Sequence, residues 1–201
     1  MSARALAAAA AGIALVAIGS PAGALARDQV TDWRKVATGA DRARLRRWRV
    51  AWMDALATIR AGGQGARIAT QPLLFDPDRS LPDANLPAGR YRCRMFRLGT
   101  VARTDKLFVA HDPVDCRVAE DLVTIDGMQR VSGRLFADTD ARQIFLGTLA
   151  IGDERRMMRY SRDAQRDMAG LVERIAPGRW RLVLPYPRLG STLDVIEITD
   201  R

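Results

Sequence analysis

Three hydrophobic rhythms follow one another along the chain. Residues 5–18 are almost continuously apolar, residues 32–59 place apolar side chains at helical spacing, and past Gly65 they come in short runs broken by turn residues. In the second stretch Leu45, Trp48, Trp52, Ala55, Leu56 and Ile59 fall on one arc of a helical wheel. Arg42, Arg44, Arg49 and Arg60 flank that arc and Arg47 lies opposite. This is the pattern of an amphipathic helix. Thr38 with Asp41 three residues on resembles a capping box, and Gly62-Gly63 stops the helix. A helix from about Gly39 to about Ala61 is predicted, with a short turn at Trp33–Val36 ahead of it.

The third rhythm predicts strands. Pro72, Pro77, Pro82 and Pro87 with several aspartates mark an irregular connector over residues 65–90. After it, candidate strands are Tyr91–Leu98, Lys106–Ala110, Val114–Val118, Leu122–Ile125, Arg130–Ala137, Gln143–Ile151, Arg155–Tyr160, Leu171–Ile175, Trp180–Leu184 and Leu193–Ile198. Asp138-Thr139-Asp140, Gly152-Asp153 and Pro177-Gly178 suit the hairpin turns between them. Within Tyr91–Leu98, Arg92 and Arg94 alternate with Tyr91, Cys93 and Met95, the period of a strand with one wet face, which points Cys93 inward. The expected fold is α+β and mainly β: a small antiparallel barrel of about eight to ten strands with the N-terminal amphipathic helix packed on it. A β-sandwich is the second choice. Residues 27–64 form the helical region and residues 91–201 the β domain, with 27–201 expected to fold as one unit.

The first rhythm concerns compartment. Arg4, the apolar run to Ile18 and the small residues Ala24-Leu25-Ala26 follow the order of a cleavable secretory signal, with cleavage between Ala26 and Arg27. The run is short for a membrane span, and no Cys lies near it for lipidation. A periplasmic or secreted protein with no transmembrane segment in its mature chain is expected. The full chain carries a formal +9, and removing Arg4 with the signal leaves +8 on the side chains. Much of this sits between Asp32 and Arg60, so Arg42, Arg46, Arg47 and Arg49 form a candidate surface for an anionic partner. Such a helix either packs its stripe on its own domain or lies on an anionic membrane; packing is the expectation, because an uncovered stripe invites association. Cys93 and Cys116, an even number in an oxidising compartment, are predicted to form a disulfide, with buried thiols or a redox pair as alternatives.

The chemical inventory is poor. His111 is the one histidine, which argues against a histidine-based zinc site or triad, and Ser132, Ser161 and Ser191 are not in nucleophile elbows. Asp112 and Asp115 near His111, and Asp153-Glu154 with Asp163 and Asp167, are the acid clusters able in principle to perform acid–base work. The second cluster is interleaved with Arg155, Arg156, Arg159, Arg162 and Arg166, so charge pairing and turn formation account for it. There is no phosphate-binding loop, dinucleotide fingerprint or calcium loop. No catalytic residue, metal ligand or cofactor is assigned.

Trp33-Arg34, Asp41, Leu45-Arg46 and Trp48-Arg49, then Tyr91-Arg92-Cys93-Arg94, then Phe145-Leu146-Gly147-Thr148-Leu149 with Gly152-Asp153-Glu154-Arg155 resemble a bacterial exported family called domain of unknown function 4893. The resemblance continues through residues 166–175, Arg179-Trp180-Arg181-Leu182-Val183 and Leu193-Asp194-Val195-Ile196-Glu197. It implies a Gram-negative exported protein and carries no activity or cofactor. The expected function is therefore a non-enzymatic, exported domain that binds a small ligand, a protein or an anionic envelope component, and not nucleic acid. The alternatives are a carboxylate-dependent hydrolase and an inhibitor of an exported enzyme.

Overall fold

A computed structural model describes residues 31–100, 106–127, 129–152, 154, 156–188 and 190–201. The predicted signal sequence and its Ala26–Arg27 cleavage point lie outside the described residues. Among the described residues five helices precede nine strands, the helices being α1 (Trp33–Val36), α2 (Gly39–Arg46), α3 (Trp48–Ala61), α4 (Gly65–Ala69) and α5 (Pro72–Phe75). Nine strands follow: β1 (Gly89–Thr100), β2 (Phe108–Ala110), β3 (Val114–Ala119), β4 (Leu122–Ile125), β5 (Gln129–Thr139), β6 (Arg142–Ile151), β7 (Asp167–Ala176), β8 (Arg179–Pro185) and β9 (Ser191–Asp200).

All pairings between strands are antiparallel. Strands β3 to β9 pair in chain order, and β1 pairs with both β3 and β9, which closes an eight-stranded barrel; β2 is an extra strand on the far half of β1. The barrel expectation holds over the sandwich, because β1 has partners on both sides along its length. Alternate residues then meet two different cores. Tyr91, Cys93, Val131, Phe145, Leu182 and Ile196 fill the barrel interior. Their neighbours Phe96, Leu98, Ile144, Leu171, Val183 and Val195 pack outward, under the helices. Burial on both faces explains the consecutive apolar residues Ile144-Phe145-Leu146 in β6, Leu182-Val183-Leu184 in β8 and Val195-Ile196 in β9.

The long helix of the sequence reading is two helices, broken at Arg47, whose backbone leaves the helical region at φ −100° and ψ 11°. The bend lets α2 lie on β7 while α3 crosses β8, β9 and β1, following the curved wall. The Thr38 cap is present: its hydroxyl accepts from the Asp41 amide. The stripe is packed, with Leu45, Trp52, Ala55, Leu56 and Ile59 buried and Trp48 half-buried, edge-on to Trp52. The connector also differs from expectation, since it contains α4 and α5. The strand predicted at Arg155–Tyr160 is absent: the described residues 156–160 form no strand and make a surface connection instead. Cys93 and Cys116 are bonded, with Cα atoms 5.8 Å apart across the β1–β3 pairing.

One buried ion pair ties the connector to the barrel. Arg181, fully buried on the outer face of β8, donates to Glu173 Oε2 at 2.8 and 3.0 Å and to the carbonyls of Leu74, Asp76 and Arg79. Its guanidinium also lies over Trp52, 4.5 Å from the ring centroid. The planar five-donor fork of arginine meets these spread acceptors in a way that the point charge of lysine cannot.

Candidate functional site

The lumen is occupied by the protein's own side chains. Gly133 and Gly147 face each other on β5 and β6, and the tip of the Phe145 ring fills the space their missing side chains leave; a Cβ at either glycine would stand 2.6 or 2.5 Å from that ring. Near the β8–β9 turn the lumen becomes polar. Arg97, Gln129 and Asp194 share a mouth with Met95, Leu149 and Met168, around free space of about 10 Å³, the scale of a single water site. Asp194 accepts from Ser191 Oγ at 2.6 Å, and its other oxygen stands 3.9 Å from Arg97 Nε, which is buried and has no hydrogen-bond partner among the described residues. Arg97 instead donates to Gln129 through its terminal nitrogen. Burial pushes the Asp194 carboxyl up to about 6, against the opposing pull of Arg97 and Ser191.

A second polar network sits outside the barrel, where α2 meets the connection between β6 and β7. Asp41 accepts from Thr38, Arg44 and Tyr160, and the Tyr160 oxygen accepts from the Thr38 amide. Burial raises the Asp41 carboxyl, but the bonds from Tyr160 and Arg44 outweigh it and hold it below its ordinary value. Burial and the bond to Asp41 push the Tyr160 phenol up. Arg44 reaches on to the carbonyls of Asp167 and Tyr186. Every member has a partner within the protein, so the network works as a clamp on α2.

The outer wall formed by β1, β3 and β4 carries the third constellation, and it is exposed. Arg90, Arg92, Asp115 and Arg117 point to solvent, alternating with the buried Tyr91, Cys93, Cys116 and Val118. The register sets Arg90 directly opposite Arg117 and Arg92 opposite Asp115. Tyr91 pairs with Asp200, which places Arg201 beside Arg90 on the other flank. Asp115 takes Arg92 at 3.0 Å and Arg201 at 2.5 Å, and these bonds hold its carboxyl below the ordinary range. Among the described residues, Arg90 and Arg117 find no ion-pair or side-chain hydrogen-bond partner. Together with Asp115, Cys116, Asp126 and Arg201 they border a groove of about 210 Å³.

The residues singled out in the sequence are scattered by the fold. Arg42 donates to the carbonyls of Arg34 and Ala37, Arg47 lies over Tyr186, Arg49 pairs with Asp78 at 2.7 Å, and Arg46 is exposed. His111 is exposed and its carbonyl accepts from Arg94. Glu154 pairs with Arg166 and accepts from the Ile151 amide, which together lower its pKa, while Asp163 also pairs with Arg166. Asp153 and Arg155 lie outside the described residues. Of the serines considered, Ser191 is bonded to Asp194, and the Ser161 amide donates to Asp167. Arg90 and Arg117 were not singled out, although period two already places them on the same outward faces as Arg92 and Asp115.

Among the described residues no three of His, Cys, Asp and Glu converge to hold a metal ion. No helix among them is long and apolar enough to cross a membrane. A family model described as Domain of unknown function (DUF4893) matches residues 33–198. No curated protein and no solved structure matches the chain.

Proposed function

The chain belongs to the DUF4893 family, and we propose that it is an exported, non-catalytic binding domain that meets an anionic envelope component on the outer wall of its barrel. The observation that carries this reading is the contrast between a lumen filled around Phe145 and an exposed wall whose Arg90 and Arg117 lack acid partners among the described residues. A filled lumen leaves no internal room for a ligand of ordinary size. Of the acids, Glu154 is held by Arg166, and Asp194, whose pKa burial raises, faces free space on the scale of a single water. Export is supported by the signal-like residues 1–26 and by the Cys93–Cys116 disulfide, a bond favoured in oxidising compartments.

Site-directed photo-crosslinking in cells tests this reading. A photoreactive residue replacing Thr124, which pairs with Arg117 on the wall, is expected to give an adduct with an envelope component, and one replacing the exposed Val50 on α3 is not. Absence of an adduct from the wall, or adducts from both faces alike, refutes it. So does hydrolysis by the purified protein that Glu154→Gln abolishes. An adduct with an exported enzyme whose activity the protein suppresses would make it an inhibitor.

A further inference from the structure

Like charges set directly opposite each other on paired strands are destabilising, and β1 and β3 do this at Arg90 and Arg117. Two residues further along, the same strands place an acid in that position and form the Arg92–Asp115 pair. Arg201 cannot relieve the contact because it is also cationic and is engaged with Asp115. Three arginines, Arg90, Arg117 and Arg201, thus share the groove with Asp115 and Asp126, and Asp115 is already engaged by Arg201 and, from outside the groove, by Arg92.

We propose that the groove between Arg90 and Arg117 binds a phosphate group, presented either as the free ion or on a phospholipid headgroup. It rests on the reading that the outer wall is the binding face. Each guanidinium offers a fork of N–H donors, and oxyanions are the ligands that fit such a fork with two bonds. A planar carboxylate uses both of its oxygens on one fork. Tetrahedral phosphate has further oxygens, so Arg90 and Arg117 can each engage it from their own strand. A bound phosphate also removes the repulsion between the two arginines, a gain that a ligand on either arginine alone does not have. The space of about 210 Å³ takes the group with its water. The flank of the groove is fixed, because the Cys93–Cys116 bond ties β1 to β3 beneath it.

The experiment uses the oxidised mature chain with inorganic phosphate, followed by amide resonances in NMR at constant ionic strength. Saturable shifts are expected at residues 90–92 and 115–117. Arg90→Gln and Arg117→Gln each weaken binding about tenfold, the scale of one charge-assisted hydrogen-bonded contact. Arg60→Gln, on the exposed end of α3, leaves it unchanged. A parallel arm measures co-sedimentation with phosphatidylglycerol vesicles and with neutral phosphatidylcholine vesicles. Response to inorganic phosphate identifies the free ion as sufficient; response to phosphatidylglycerol alone, lost in Arg90→Gln and Arg117→Gln, identifies the headgroup. Absence of binding in both arms, shifts elsewhere on the protein, or equal binding by the two variants and the parent overturns the proposal. Because Arg90 and Arg117 are exposed and repel each other across the strands, thermal melts of the variants are expected at or slightly above that of the parent, and the shift map of the unmutated protein stands independently of them. If both arms fail while crosslinking from position 124 succeeds, the wall is still the binding face and its ligand is not a phosphate.

Discussion

Replacing Asp194 by asparagine should make the protein more stable at neutral pH. The Asp194 carboxyl is buried in the barrel mouth, and the Arg97 guanidinium stands 3.9 Å away, too far for a direct hydrogen bond. Burial raises its pKa from 3.8 to about 6. Between those values the native state holds a proton that the unfolded chain has released, so stability falls as pH rises through this window. Above it the full loss is present. A rise of roughly two units at 1.36 kcal/mol each gives about 3 kcal/mol at pH 7.5. The asparagine amide of Asp194→Asn keeps an acceptor for Ser191 and carries no charge to desolvate. A gain of about 2–3 kcal/mol is therefore expected at pH 7.5, or about 4–12 °C in Tm for a domain of this size, with almost none at pH 3.5. Urea melts of both proteins from pH 3.5 to 7.5 measure the difference, which cancels the opposite slopes of Asp41, Asp115 and Glu154. If Asp194→Asn instead destabilises at pH 7.5, Arg97 pairs with the carboxylate closely enough to outweigh its burial, and the reasoning fails.

Three further outcomes follow from packing and crosslinks. Trp52→Ala should cost about 3–5 kcal/mol in a urea melt and Trp48→Ala clearly less, because Trp52 is fully buried and Trp48 is only half covered; equal small losses would mean that α3 does not pack on the barrel. Arg181→Ala, which leaves the buried Glu173 with only the looser Arg142 contact at 3.6 Å, should cost about 3–5 kcal/mol, and Arg181→Lys should recover little of it. Full recovery by Lys in a thermal melt would refute the role given to the guanidinium fork. Reduction of Cys93–Cys116, separated by 23 residues, should cost about 3 kcal/mol by chain entropy, read from melts with and without reductant; no change would place the bond's effect elsewhere than in the unfolded chain.

Local pattern was enough for some of this protein. The Thr38 cap depends on residues three apart, the inward turn of Cys93 on strand alternation, and the disulfide on a compartment inferred from residues 1–26. The barrel was readable because short apolar runs with turn residues between them can pair in order. Tertiary structure decided the rest, and for a common reason: strand periodicity assigns a side chain to a face but says nothing of which residue stands opposite it. Arg90 faces Arg117 only through the β1–β3 register, and Asp194 is deprived of water only because closure of the barrel places it inside, beside Arg97. The break at Arg47 likewise follows from the curved wall that α2 and α3 cover, since the sequence there has no proline or glycine to end a helix. The arginines of the helix were the conspicuous ones by composition, yet folding engages Arg42, Arg47 and Arg49 with the protein itself. Those at 90 and 117, far apart in the chain, are left side by side because the hydrogen-bonding of the backbone, and not their charge, aligns the two strands.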